Sequence, residues 1–240
     1  AAYAIARGAD TSAGGLNSIA IGGDSNDTGE QGAQSAGAFA IAIGSDASAA
    51  QSSAIAIGDA AVTGGIRATA IGNEATATGA DSLALGNSVS AAGEGAIALG
   101  RSASAAGESS MALGDGSDAT SVGAIAIGDL SEATADSAAA FGRFANATGI
   151  RSVALGRSTA AGTDSVSAGT SALASGELSA AFGARARARQ ADATALGANA
   201  TADGVDATSV GSESSAASAQ ATALGFSANA SGASRLALGS

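Results

Sequence analysis

Arg185-Ala186-Arg187-Ala188-Arg189 is the most distinctive grouping of charge in a chain whose formal net charge is −11. Alternation with alanine predicts a short strand with Arg185, Arg187 and Arg189 on its outer face and the methyl groups inward. Guanidinium groups in a row suit an anionic ligand such as a sulfated glycan. They equally suit a solvated row neighbouring Asp203. Phe144 is a second candidate contact, with Phe226, Leu130, Leu173 and Leu178 as further outward apolar residues. Aromatic side chains on a polar surface can anchor a partner, although scattered exposed hydrophobes are also ordinary.

No catalytic constellation competes with these residues. The chain has no His and no Cys, so the common nucleophile–base arrangements and soft metal sites are missing. Asp46, Asp59, Asp115 and Asp129 do not keep the single register that a glycine-rich calcium repeat needs. No Walker-type phosphate loop occurs. The sequence therefore predicts no catalysis, no cofactor and no metal. All ten basic residues are Arg against 21 Asp and Glu, which argues against nucleic acid and anionic membranes as partners. No apolar run approaches the ~18 residues of a membrane span.

The elements that must position these side chains follow from a repeat. The phrase Leu83-Ala84-Leu85-Gly86 returns as Ile97-Ala98-Leu99-Gly100 and Ile125-Ala126-Ile127-Gly128, and many times besides. Seventeen anchor glycines run from Gly8 to Gly239, and fourteen of the sixteen intervals keep a 14-residue period. One interval, Gly156 to Gly169, is 13, and one, Gly22 to Gly44, is 22. The extra residues of the long interval, near 30–38, are polar and Gly-rich and predict an extruded loop. A second glycine often falls seven residues after the anchor, as at Gly65, Gly79 and Gly93, which predicts two glycine turns per repeat. Between turns the chain alternates small and larger residues with period two, a strand signal.

Strand, turn, strand, turn repeated at a fixed period gives an all-β solenoid with one coil per repeat. Coils stacked at about 4.8 Å give a rod roughly 80 Å long. With 2% aromatics, the core must be thin and filled by small groups. The residue two before each anchor is Ala or Ser throughout, and two facing walls of such residues close tightly. The small residues are therefore expected inside. The reverse arrangement would put the bulky row inside and the alanines in water.

With the small residues inside, an outward apolar row remains: Ile19 and Ile21, Ile41 and Ile43, Ile55 and Ile57, Leu83 and Leu85, Ile97 and Leu99, Met111 and Leu113, Ile125 and Ile127, Phe141, Val153 and Leu155, Phe182, Leu196, Leu224, Leu236 and Leu238. So continuous a patch exceeds what a monomer leaves in water. A second copy of the chain is the simplest cover with a matching period, so this row is the expected oligomer interface. Phe141 and Phe182 each pair with an alanine two residues earlier, Ala139 and Ala180, a volume exchange that a crowded seam demands.

Ser82-Leu83-Ala84-Leu85-Gly86, Ser110-Met111-Ala112-Leu113-Gly114 and Ser152-Val153-Ala154-Leu155-Gly156, recurring at this period, resemble the head motif of the YadA-like trimeric autotransporter adhesins. The resemblance covers essentially the whole chain. It implies a left-handed parallel β-roll assembled as a parallel homotrimer, displayed at the bacterial cell surface and outer membrane as an extracellular head. It implies binding to host extracellular-matrix proteins or cell-surface receptors. The expected organisation is one head-repeat domain, 1–240, of about 17 coils. The sequence shows no neck, coiled-coil stalk or membrane anchor, and Leu238-Gly239-Ser240 stops in mid-phrase. It reads as a piece of a longer protein whose anchoring segments lie outside it, with no membrane contact of its own. A structural spacer that presents another binding domain is the alternative function.

Overall fold

A computed structural model describes residues 2–23 and 32–239. The chain is an all-β parallel solenoid of about 16 coils spaced roughly 14 residues apart, with no helix among the described residues. Its contacts gather into two compact units, Ala1–Gly123 and Ala124–Ser240.

Each coil contributes one three-residue strand ending at the anchor glycine and one two-residue strand beyond it. In the first unit the three-residue strands include Leu83–Leu85, Ile97–Leu99 and Met111–Leu113. They pair in parallel with Leu83 beside Ile97 and Met111, and Leu85 beside Leu99 and Leu113. The two-residue strands, such as Thr76–Ala77, Ser90–Ala91 and Ser104–Ala105, stack into a second parallel sheet. The second unit repeats the plan, with Ala180–Phe182 beside Thr194–Leu196 in one sheet and Leu173–Ala174 beside Arg187–Ala188 in the other. Parallel pairing lets strand backbone groups bond the coil before or after, as with Leu83 N–H to the Ala96 carbonyl at 2.9 Å.

The interior is lined by alanine. Ala84, Ala98 and Ala112 before the anchors, and Ala77, Ala91 and Ala105 on the other sheet, are fully buried. Val89 and Thr63 are the largest fully buried side chains among the described residues. Each methyl group removed from water contributes roughly 0.8 kcal/mol, and the coil is narrow because the two alanine walls meet. The arrangement with isoleucine and leucine inside is thereby ruled out.

Serine enters this interior where its hydroxyl can close a turn. Ser82 Oγ donates to the Gly79 carbonyl at 2.7 Å, Ser179 Oγ to Gly176 at 2.6 Å and Ser18 Oγ to Gly15 at 2.8 Å. The hydroxyls of Ser110 and Ser152 stand at the same point of the repeat, buried and without a partner.

Two sequence expectations change. The glycines seven residues past the anchors are not there for left-handed backbone. A Cβ on Gly65 would collide with the carbonyl of Gly79 one coil away, so close approach of the coils excludes a side chain. An anchor such as Gly58 meets both demands, with φ +140° and a Cβ that would strike the Gly72 carbonyl. Apart from the turn after Gly156, the left-handed residues described lie two places further on and are mostly not glycine: Asp81 (φ 58°), Asn199 (57°), Phe144 (58°) and Arg185 (58°). The second change concerns the loop expected near 30–38. Gln34–Ser35 is a regular strand paired with Ser12–Ala13 and Ser48–Ala49. Ala38 and Phe39 form an ordinary turn. Residues 24–31 lie outside the described residues.

Candidate functional site

The sheet of three-residue strands presents the apolar row outward, because its alternate residues are the buried alanines. None of the row residues is buried within the chain. Ile97, Leu99, Met111 and Leu113 are half-buried against their neighbours in the ladder, and Phe141, Leu155, Phe182, Leu196 and Leu224 are exposed. In the second unit Ile127, Phe141 and Leu155 follow one another in register, then Ala168, Phe182 and Leu196. Phe182 therefore has an alanine beside it along the ladder, Ala168, as well as Ala180 within its own strand. The same volume exchange operates in both directions.

The opposite sheet and the turns carry the charge. Among the described residues, five arginines are paired with an aspartate one coil away: Arg67 with Asp81, Arg101 with Asp115, Arg143 with Asp129, Arg151 with Asp164 and Arg189 with Asp203. Hydrogen bonding from the guanidinium holds the Asp81, Asp115 and Asp164 carboxyls below the usual carboxylate range. All five pairs are largely in solvent, where such a pair adds little to stability. Their effect is to stitch successive turns and to neutralise the arginines involved.

The three arginines at 185–189 do not share one strand face. Arg185 occupies the left-handed turn position, with its N–H bonded to the Thr170 carbonyl at 2.9 Å. Arg187 points outward from the strand Arg187–Ala188, and Arg189 lies just past it, both Asp203 oxygens accepting from its Nη1 at 2.8 Å. Alternation misled at Arg185 because the strand is two residues long and the turn begins before it.

The structure instead joins Arg187 and Phe144 in one cavity. It has a volume of about 370 Å³ and is lined by Phe144, Arg157, Ser158, Thr159, Ser171, Ala172, Leu173 and Arg187. Arg185 and Arg189 do not line it. Its origin is the 13-residue coil. In neighbouring coils the anchor is followed by two turn residues and then a buried alanine, whose N–H returns to the anchor carbonyl: Ala145 to Gly142 and Ala172 to Gly169, each at 3.1 Å. After Gly156 one turn residue is missing, and Ser158 N–H reaches back only two places to the Gly156 carbonyl at 2.8 Å. Gly156 has φ +76°, unlike the other anchors, and a Cβ there would meet nothing. The column of turn side chains that runs Leu130, Phe144, Ser171, Arg185 thus lacks a member between Phe144 and Ser171.

The shortened coil is repaired inside. Ser158 and Ser167 stand where the adjacent coils have alanine, and their hydroxyls bond each other at 3.0 Å while Ser158 Oγ also donates to the Leu155 and Ser167 carbonyls. Outside, Arg143 and Arg157 flank the Phe144 ring, with Cζ 4.5 Å and 5.7 Å from its centroid. Sequence reading missed Arg157, Thr159 and Ser171. The signal was the short interval from Gly156 to Gly169, but its consequence depends on which side chains the coils on either side place around the gap. Among the described residues no group of three or more acidic side chains is gathered to hold a metal ion.

A stack of glycine-anchored coils with an alanine interior and an outward apolar row is the architecture of a β-solenoid head. The YadA head domain repeat (2 copies) matches the chain over residues 64–88, 91–117, 119–145, 133–159, 174–200, 188–214 and 202–228, more than half of its length. The chain belongs to the YadA head family, a cell-surface autotransporter adhesin domain. No curated protein matches it.

Proposed function

We propose that this chain is the binding head of a trimeric autotransporter adhesin, assembled as a parallel homotrimer. The apolar row from Ile19 to Leu238 is the seam between protomers, and the polar turns and opposite sheet meet host extracellular-matrix proteins or cell-surface receptors. On this reading the head stands outside the bacterial outer membrane, held there by other parts of the protein.

The observation that carries the assembly is the outward apolar row itself. Among the described residues nothing covers it, and every partner that matches its period along a whole unit must itself repeat at that period. Burying each leucine or isoleucine contributes roughly 1.5–3 kcal/mol when complete, so a half-buried row leaves much to gain from association. Adhesion is supported by membership of the family and by the division of the surface into an apolar sheet and a polar one. Repeated weak contacts on three protomers raise avidity without any single strong site.

The test is binding of the purified chain to immobilised collagen, fibronectin and laminin and to epithelial cells. Saturable binding to at least one of these is expected. Uniform failure, with the oligomer intact, contradicts the adhesin reading and leaves a spacer that presents another domain.

A further inference from the structure

We infer that the notch made by the 13-residue coil is a binding site for an anionic saccharide, a pyranose bearing a carboxylate or a sulfate. The inference rests on the adhesin reading and names a ligand class and a place for it.

Charge is the first argument. Arg157 and Arg187 make no ion pair among the described residues, whereas five other arginines are each neutralised by an aspartate. Both line the same cavity, and no acidic residue does. Asp129, whose backbone carbonyl accepts from Phe144 N–H, has its carboxylate held by Arg143. On a surface of formal net charge −11, two uncompensated guanidinium groups around one concavity form a local positive site. Guanidinium suits the planar carboxylate and the sulfate alike.

Shape and lining are the second. A cavity of about 370 Å³ is at the scale of a single small ligand or sugar ring. Thr159 and Ser171 offer hydroxyls for ring hydroxyls, and Phe144 and Leu173 offer apolar surface to the C–H face of a pyranose. An acidic peptide fits less well. Extended peptides commonly bind by adding a strand to a free sheet edge. Here the turn backbone is already committed to the adjoining coils, as in Ser171 N–H to the Arg157 carbonyl and Phe144 N–H to the Asp129 carbonyl.

The site also lies away from the proposed seam. Its residues come from the turns after the anchors and from the strands Thr159–Ala160, Leu173–Ala174 and Arg187–Ala188, all in the sheet opposite the apolar row. A protomer docked on that row leaves the notch open to solvent.

Titration calorimetry on the intact chain tests this, using 3′-sialyllactose, a sulfated heparin disaccharide, neutral lactose and a hexaglutamate peptide as probes. At least one anionic saccharide is expected to bind more tightly than lactose, and the stronger of the two tells carboxylate from sulfate. The double variant Arg157→Gln/Arg187→Gln is expected to weaken that binding at least tenfold, while Arg185→Gln leaves it unchanged. The sharper variant inserts one serine between Arg157 and Ser158. It restores the regular spacing of the anchors and fills the notch while keeping every arginine, and it is also expected to weaken binding tenfold. Circular dichroism and the melting profile check that each variant is folded. The proposal is overturned if neither anionic saccharide outcompetes lactose, if hexaglutamate alone binds, or if a folded insertion variant binds as the parent does. Matrix or cell binding that survives in the insertion variant separates failure of this site from failure of the adhesin reading.

Discussion

The two units have the same kind of interior and differ outside it. In Ala1–Gly123 both outward positions of the three-residue strands are apolar in nearly every coil, with Arg7 and Thr69 the departures. In Ala124–Ser240 the position three before the anchor turns to Ala139, Ala180, Thr194, Thr208 and Thr222, and only the column nearer the anchor stays largely apolar. The second unit also holds the 13-residue coil and the arginine-lined notch. An alanine interior therefore sets the fold in both, and the outer positions are free to diverge: a broad apolar stripe in one, a narrow stripe and a charged concavity in the other. Within the proposed trimer, the first unit supplies more of the seam, and the second supplies a specific contact.

The largest effect should be the one that ignores this difference. Ala98→Phe and Ala195→Phe place a ring between the two alanine walls of their coils, where both residues are fully buried. Each is expected to cost about 3 kcal/mol or more through overpacking, equally in both units, as read by denaturant unfolding. A mild effect at either position means that the interior is looser there than its burial shows.

Widening the second stripe should sharpen the comparison in the other direction. Thr194, Thr208 and Thr222 stand in register beside one another. Thr208→Ile extends the apolar surface and is expected to strengthen association by roughly 1 kcal/mol per protomer, seen as a lower dissociation concentration in sedimentation. No change means that this column does not reach a partner.

The smallest effect distinguishes two serines at one point of the repeat. Ser110 is buried with an unpartnered hydroxyl, while Ser82 bonds the Gly79 carbonyl. Ser110→Ala removes an uncompensated polar group and is expected to raise stability by about 1 kcal/mol. Ser82→Ala, which loses a hydrogen bond, is expected to lower it slightly. Calorimetric melting of the pair gives the sign of each.

Much of this was legible in the sequence, for a physical reason. A coil closed by two alanine walls tolerates only small residues inward, so Ala84, Ala98 and Ala126 declare the inner face directly, and the leucines and isoleucines between them declare the outer one. What the sequence concealed depended on contacts between coils. The glycines at 65, 79 and 93 announced turns, but the reason for them is a neighbouring carbonyl and not their own backbone angles. Gln34–Ser35 has loop-like composition and is held as strand by its neighbours in the ladder. Arg185 was placed on a strand face by an alternation that the turn interrupts. The 13-residue interval was visible, yet one missing residue becomes a cavity only when Phe144, Leu173 and Arg187 from other coils surround it.

The seam is the central claim, and the mass of the particle in solution tests it most directly. Light scattering on the parent chain should give three times the protomer mass of 21.9 kDa. Leu99→Asp sets a carboxylate in the broad stripe of the first unit, with Leu85 and Leu113 beside it. It is expected to release protomers at concentrations where Leu196→Asp, in the narrow stripe, still holds a larger share of trimer. A parent chain that runs as a monomer, or a Leu99→Asp chain that remains wholly trimeric, contradicts the account.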